Sequence, residues 1–154
     1  MYAQNSYGVS LSLEEAKRMR DSFLQEYSTL HAWQQASIGE ASRTRVCRTV
    51  TGRHRVLSDE NYYTGSLNFP VQGAAAEVLY ATLGRLPRAL SGLDVKIVNC
   101  VHDEILLEAS AADASAAKEA LETAMTLGFR DIFPEAPTAG LVDARIAGNW
   151  AEAK

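Results

Sequence analysis

Apolar positions along this chain recur first at the period of a helix and later at that of a strand. Ala16, Met19, Phe23 and Tyr27 stand three and four residues apart, the spacing of a helix that packs one face against a core. Ser12 and Glu15 have the separation of a capping box, so that helix should begin at Ser12. Ser28-Thr29 is placed to cap a second helix, with Leu30, Trp33 and Ile38 on its buried side, running to about Ala41. From Thr44 the period shortens to two. Val46, Arg48 and Val50 alternate with Arg45, Cys47 and Thr49, and a further alternating run after Gly52 reaches Leu57, which together predict a β-hairpin. Ser58 to Ser66 is polar, carries Gly65 and reads as a loop. Pro70 suits only a first helical turn, so the next helix starts there, follows Val71, Ala75, Val78, Leu79 and Leu83, and ends before Pro87. Val95–Val98 and Ile105–Glu108 read as an antiparallel hairpin with His102, Asp103 and Glu104 at its turn. Ser110 and Asp113 have cap spacing for a helix with Ala117, Leu121 and Ala124 inside, ending at Gly128, and Leu141–Ile146 reads as a last strand. Helices and strands in this order give an α+β fold.

Composition agrees with one compact domain: 154 residues, 47% of them hydrophobic and 22% charged. No apolar run approaches the roughly 18 residues of a membrane span, and Met1 to Asn5 lacks the basic and apolar blocks of a signal peptide. The expectation is therefore a cytoplasmic protein without membrane contact. Cys47 and Cys100 are too few for a zinc ligand set and should stay reduced. The net charge of -4 is unevenly spread, with +3 over residues 1–57 and -7 over 58–154. Between Ala41 and Leu57 lie Arg43, Arg45, Arg48, Arg53, Arg55 and His54, with no acidic residue. Such a run is either a solvated hairpin face or a set of phosphate contacts.

Two short segments carry candidate chemistry. His102-Asp103-Glu104 places three ionisable side chains between apolar strands. Adjacent carboxylates repel unless a cation or basic partner screens them, and hard oxygen donors of this kind suit Mg²⁺. The alternative is a solvated acidic turn. In Asn68-Phe69-Pro70-Val71-Gln72-Gly73, two amides frame a helix start and Gly73 permits close backbone approach, although amides there also serve as plain helix caps.

Taken together, these segments resemble the C-terminal part of a family A DNA polymerase. Val101-His102-Asp103-Glu104 is similar to that family's motif C, and Asn68-x-Pro70-x-Gln72-Gly73 with Ala75-Ala76-Glu77 is similar to its Asn-x-Pro-x-Gln-Gly-x-Ala-Ala-Asp segment. Tyr7-Gly8 resembles the end of motif B, Thr49-x-x-Gly52-Arg53-His54-Arg55 a Thr-x-x-Gly-Arg-Arg-Arg segment, and Gly148-Asn149-Trp150 the region near the C-terminus. The resemblance implies a partial polymerase palm, its motif C hairpin packed on helices, over residues 43–154, with fingers-derived helices in 1–42. It further implies that Asp103 binds catalytic metal with Glu104 in support, and that His102 lies near the primer terminus. Gln72 and Asn68 would contact the template-primer duplex, Tyr7 the nascent base pair, and Arg53 and Arg55 the nucleic-acid backbone. Primer-template DNA and deoxynucleoside triphosphates are the implied partners, with two Mg²⁺ ions in the complete enzyme.

The departures from the family pattern bear on activity. Motif A, with the second metal-binding aspartate, has no counterpart in this chain, nor have the upstream arginine and lysine that hold the triphosphate. Leu57 to Leu67 is shorter than its usual counterpart, Thr64 stands near a common arginine position, and His54 replaces the middle arginine of its segment. The leading expectation is a polymerase piece inactive alone, with weak or absent metal binding, that binds its missing half or self-associates. The alternative is a non-catalytic remnant that serves as a DNA-binding or interaction module.

Overall fold

The computed structural model describes Gly8 and residues 10–153. They divide into two compact units: residues up to Cys47 with Arg55–Leu67, and Arg48–His54 with the residues from Asn68 onward. In chain order the elements are α1 (Leu13–Glu26), α2 (Ser28–Thr44), β1 (Val46–Arg48), β2 (His54–Val56), α3 (Tyr62–Ala89), β3 (Val95–Val101), β4 (Glu104–Ala109) and α4 (Ala114–Ile132). The strands pair as two antiparallel-type ribbons, β1 with β2 and β3 with β4, so the fold is α+β.

In the first unit the predicted capping box forms. The Glu15 N–H donates to Ser12 Oγ at 3.2 Å and the Ser12 N–H donates to Glu15 Oε2 at 2.9 Å. Bonds from the Ser12 hydroxyl, then its backbone, hold the Glu15 carboxyl below its ordinary range. The apolar face of α1 is present but not packed as predicted: no α1 residue is buried, and Met19, Phe23 and Tyr27 are exposed. Phe23 and Tyr27 instead meet each other as a tilted pair, ring centroids 4.8 Å apart. The cap of α2 also differs. Tyr27 occupies the N-cap without a side-chain bond, and Ser28 is already helical. The helix runs past Ala41 to Thr44 and stops where Arg45 turns left-handed, φ +55°, its N–H bonding the Ala41 carbonyl.

Behind β1 and β2, Cys47 and Leu57 are buried, and Gly65 lies so close to Leu57 that a Cβ would meet Leu57 Cδ2 at 2.7 Å. The Cys47 thiol points at the carbonyls of Arg55 and Gly65, 3.9 and 3.8 Å away. Burial pushes this thiol up, outweighing the lowering influence of Arg55. Both cysteines are free, and Cys100 is exposed. Ellman's reagent should therefore titrate one thiol per native chain quickly and the second only in denaturant, because the thiolate is the reactive form. Equal rates for both thiols would contradict this burial.

The predicted loop holds over residues 58–61, but helix α3 takes over its remainder, residues 62–66, and overrides the predicted boundaries at proline. It begins at Tyr62, eight residues before Pro70, and continues through Pro70 and Pro87 to Ala89. Each proline withholds one helical N–H, from the carbonyls of Ser66 and Leu83 respectively. Around Pro87 tertiary packing overrides that local loss: Leu86 and Leu90 are buried with Leu79 and Leu83 against them.

The core of the second unit lies among late α3, β4 and α4, built from Leu86, Leu90, Ile105, Ala117, Leu121 and Ala124. The predicted inner face of α4 is thus the buried one. Its end is not at Gly128, however, since the helix continues to Ile132. Gly128 is a crossing point. A Cβ there would lie 2.9 Å from the Thr82 backbone nitrogen and 3.1 Å from Thr82 Cα, so only a bare Cα lets α4 approach α3 this closely. One turn further on, Asp131 accepts a forked pair from Arg85, Nε to Oδ2 at 3.0 Å and Nη2 to Oδ1 at 2.6 Å. At the start of α4, Asp113 is the N-cap but makes no side-chain bond to the helix; its carboxylate accepts from Ser110 Oγ and the Asp94 N–H, each at 3.0 Å. Residues 141–146, predicted as a strand, form none.

Candidate functional site

The β3–β4 ribbon carries the acidic segment on a tighter turn than the sequence predicts. Its antiparallel register sets Val101 opposite Glu104, Cys100 opposite Ile105 and Ile97 opposite Leu107. Only His102 and Asp103 remain in the turn, and Glu104 is the first residue of β4 rather than part of the loop. A two-residue hairpin needs positive φ to match the twist of its strands, and His102 supplies it at φ +55°; histidine is among the residues enriched there. Val98 has no partner of its own, a bulge between Ile97 and Asn99. Such irregularities commonly re-aim side chains near functional sites.

His102, Asp103 and Glu104 are exposed, whereas Ile105 beside them is buried and fixes the ribbon to the core. Among the described residues neither the Asp103 nor the Glu104 carboxylate has a hydrogen bond or ion pair. Both line a groove of about 890 Å³ that also takes in Glu108, Lys118, Arg145 and Trp150. No three His, Cys, Asp or Glu side chains among the described residues gather into a closed metal cage. Two exposed, unengaged carboxylates do fit a hard cation that keeps several waters and draws its remaining ligands from substrate phosphates.

The basic run resolves into two kinds of arginine. Arg43, Arg48, Arg53, Arg55 and His54 are exposed. Arg45 is half-buried, with Nη2 2.6 Å from Asp59 Oδ1 and its guanidinium 4.6 Å over the Tyr62 ring, so it is committed inside the first unit. Of the amides, Asn68 and Gln72 stand one turn apart on α3 and both are exposed. The second unit therefore holds Arg53, Asn68, Gln72, His102, Asp103 and Glu104, while Arg55 belongs to the first. Tyr7 lies outside the described residues.

Sequence reasoning missed Tyr80. The Arg53 guanidinium lies 5.7 Å from its ring centroid, within cation–π reach. Gly73, Glu77 and Tyr80 share one helical stripe at steps of four and three, a signal already present in the helix predicted from Pro70, but the sequence does not show that the hairpin tip lies against it.

The sequence model of DNA polymerase family A matches residues 2–152. The chain is 32% identical over 151 residues to DNA polymerase I of Aquifex aeolicus, covering 97% of this chain and 26% of that protein. It is 32% identical over 127 residues to the thermostable DNA polymerase I of Thermus thermophilus, covering 74% of this chain and 15% of that protein. It thus spans about a quarter or less of the length of these relatives. Among solved structures, the POL domain of Pol1 from M. smegmatis, in complex with DNA primer-template and dNTP, is similar with a TM-score of 0.72 and 26% identity, covering 82% of this chain and 24% of that one. No helix among the described residues is long and apolar enough to cross a membrane.

Proposed function

Because the chain belongs to DNA polymerase family A, we propose that it forms the C-terminal part of a DNA-directed DNA polymerase, with fingers-derived helices in 1–42 and a palm portion in 43–154. The observation that carries this reading is the pair of exposed, unengaged carboxylates, Asp103 and Glu104, on a rigid hairpin turn in the same unit as Arg53, Asn68 and Gln72. A module that only bound DNA has no physical need for paired carboxylates beside phosphates.

The proposed reaction joins a primer 3'-hydroxyl oxygen to the α-phosphorus of a deoxynucleoside triphosphate and releases pyrophosphate. Asp103 would hold Mg²⁺ with Glu104 in support; when bound, the metal supplies Lewis-acid polarisation of the reacting oxygens. His102, fixed by its left-handed backbone, faces the primer terminus. Asn68 and Gln72 present amides to the template-primer duplex near the insertion site, and Tyr7 lies beside the nascent base pair. Arg53 and Arg55 meet backbone phosphates, which fixes the register of the duplex without reading its sequence. The second metal-binding aspartate comes from a segment carrying motif A, so the 154-residue chain is inactive by itself. Its place of work is the cytoplasm.

The test is binding of the isolated chain to a primer-template duplex across a salt series. Each arginine that meets a phosphate adds about 0.9 to the slope of log affinity against log salt, so affinity should fall steeply. A salt-independent affinity would overturn the reading of the hairpin. Partnership follows from one open surface in each unit. The β3–β4 ribbon has no third strand among the described residues, and α1 leaves Met19, Phe23 and Tyr27 open. Open edges and apolar patches recruit partners, so the chain self-associates or binds its missing half. Sedimentation equilibrium at micromolar concentration checks this: an ideal 16.8 kDa monomer would refute self-association.

A further inference from the structure

The tip of the basic hairpin is seated on α3 chiefly through Thr49, which makes contacts that its arginines do not. Thr49 is buried although it stands in a polar loop, and its hydroxyl donates to Glu77 Oε1 at 2.8 Å. A carboxylate is a stronger acceptor than the alternatives nearby, the Arg53 carbonyl at 3.4 Å and the Thr51 hydroxyl at 3.2 Å. The methyl of Thr49 packs against bare backbone: a Cβ on Gly73 would meet Thr49 Cγ2 at 2.6 Å. Thr49 in turn closes the loop, its N–H bonding the Arg53 carbonyl at 2.8 Å and its carbonyl accepting the Gly52 N–H at 3.0 Å. Gly52 takes φ +94°, which a side chain would resist. Arg53 then reaches the Tyr80 ring. Gly73, Glu77 and Tyr80 form one stripe of α3, and the stripe next to it carries Asn68 and Gln72.

From this geometry we infer that Thr49, Gly73, Glu77 and Tyr80 are positioning residues that lock Arg53 in fixed register with Asn68 and Gln72, making one rigid duplex-binding surface. The inference rests on the proposed contact of Arg53 with DNA phosphate. Free on a loop, Arg53 would lose side-chain and backbone freedom on meeting a phosphate; held by Thr49 and Tyr80, that ordering is complete before DNA arrives. Glu77 Oε2 is buried without a partner, a local expense that the seat of Thr49 explains.

The experiment uses the full chain and a fluorescein-labelled primer-template duplex, reading the salt slope of binding. Arg53→Ala should make the slope shallower by about 0.9, one phosphate contact. Thr49→Val, Glu77→Leu and Gly73→Ala should each do nearly the same, and none should add to Arg53→Ala in the double variant. Thr49→Ser, which keeps the hydroxyl, should retain the parental slope. Gly73→Ala favours the helix by propensity, so its loss of slope cannot be read as loss of α3; a thermal melt of each variant confirms that it folds. Unchanged slopes in Thr49→Val and Gly73→Ala, or effects that add to Arg53→Ala, would overturn the positioning role while leaving the arginine contact intact. No effect of Arg53→Ala would overturn both.

Discussion

Asp103→Asn should lower templated primer extension about a thousandfold when this chain is assembled with a polypeptide carrying motif A, while leaving duplex binding unchanged. Asparagine keeps the size of the side chain and one acceptor oxygen but removes the charge that a divalent cation requires. Losing a properly held metal costs several kcal/mol of transition-state stabilisation, and about 4 kcal/mol corresponds to three powers of ten in rate. Both side chains are exposed and unengaged, so neutralising Asp103 breaks no structural bond and stability should not change. The chain alone should extend no primer. Extension by the isolated chain that Asp103→Asn abolishes would show that a second carboxylate is recruited from within it, and extension by the assembled variant at the parental rate would remove Asp103 from the site.

Gly128→Val should be the most disruptive single change in the second unit. The clash is with the backbone of Thr82, its nitrogen 2.9 Å and its Cα 3.1 Å from the new Cβ, so no side-chain rotation relieves it. Thr82 is itself buried, its hydroxyl spent on the Val78 carbonyl at 2.9 Å. Separating the helices would open the Leu86, Leu121 and Ala124 cluster and loosen the Arg85–Asp131 fork beside it. Overpacking of this kind costs about 3 kcal/mol, out of a typical total of roughly 5–15 kcal/mol. The melting temperature should fall by roughly 6–12 °C. An unchanged melt would mean that α3 and α4 do not cross at this glycine.

What was legible in the sequence was what is written locally or at a clean period. The Ser12–Glu15 capping box needs only neighbours three residues apart. The inner face of α4 repeats Ala117, Leu121 and Ala124 at helical steps, and the acidic turn is bracketed by strands. Punctuation residues mislead because their meaning depends on partners distant in sequence. Pro70 and Pro87 look like boundaries, yet α3 runs through both, and at Pro87 the flanking leucines are packed into the core with β4 and α4. Gly128 looks like a terminator, yet it is a contact with Thr82, forty-six positions earlier in the chain. Arg45 looks like its four neighbours until Asp59 and Tyr62 are seen to engage it. The motif segments stand out by resemblance, but the Thr49–Glu77 bond that joins two of them spans 28 positions and has no local signature.

The bulge at Val98 gives the β3–β4 ribbon a parity. In an unbroken strand the residues on one side are all odd or all even in number; here Val95 and Ile97 face Ala109 and Leu107, but beyond the bulge it is Cys100 that faces Ile105. The surplus residue switches the count once, just before the turn that carries His102 and Asp103. Adding or removing a single residue in β3 would therefore swap the sides of everything between the change and the turn, whereas a change of two would preserve them. Length variation among relatives of this strand should come in even steps, with the odd step reserved for chains that have lost the bulge itself.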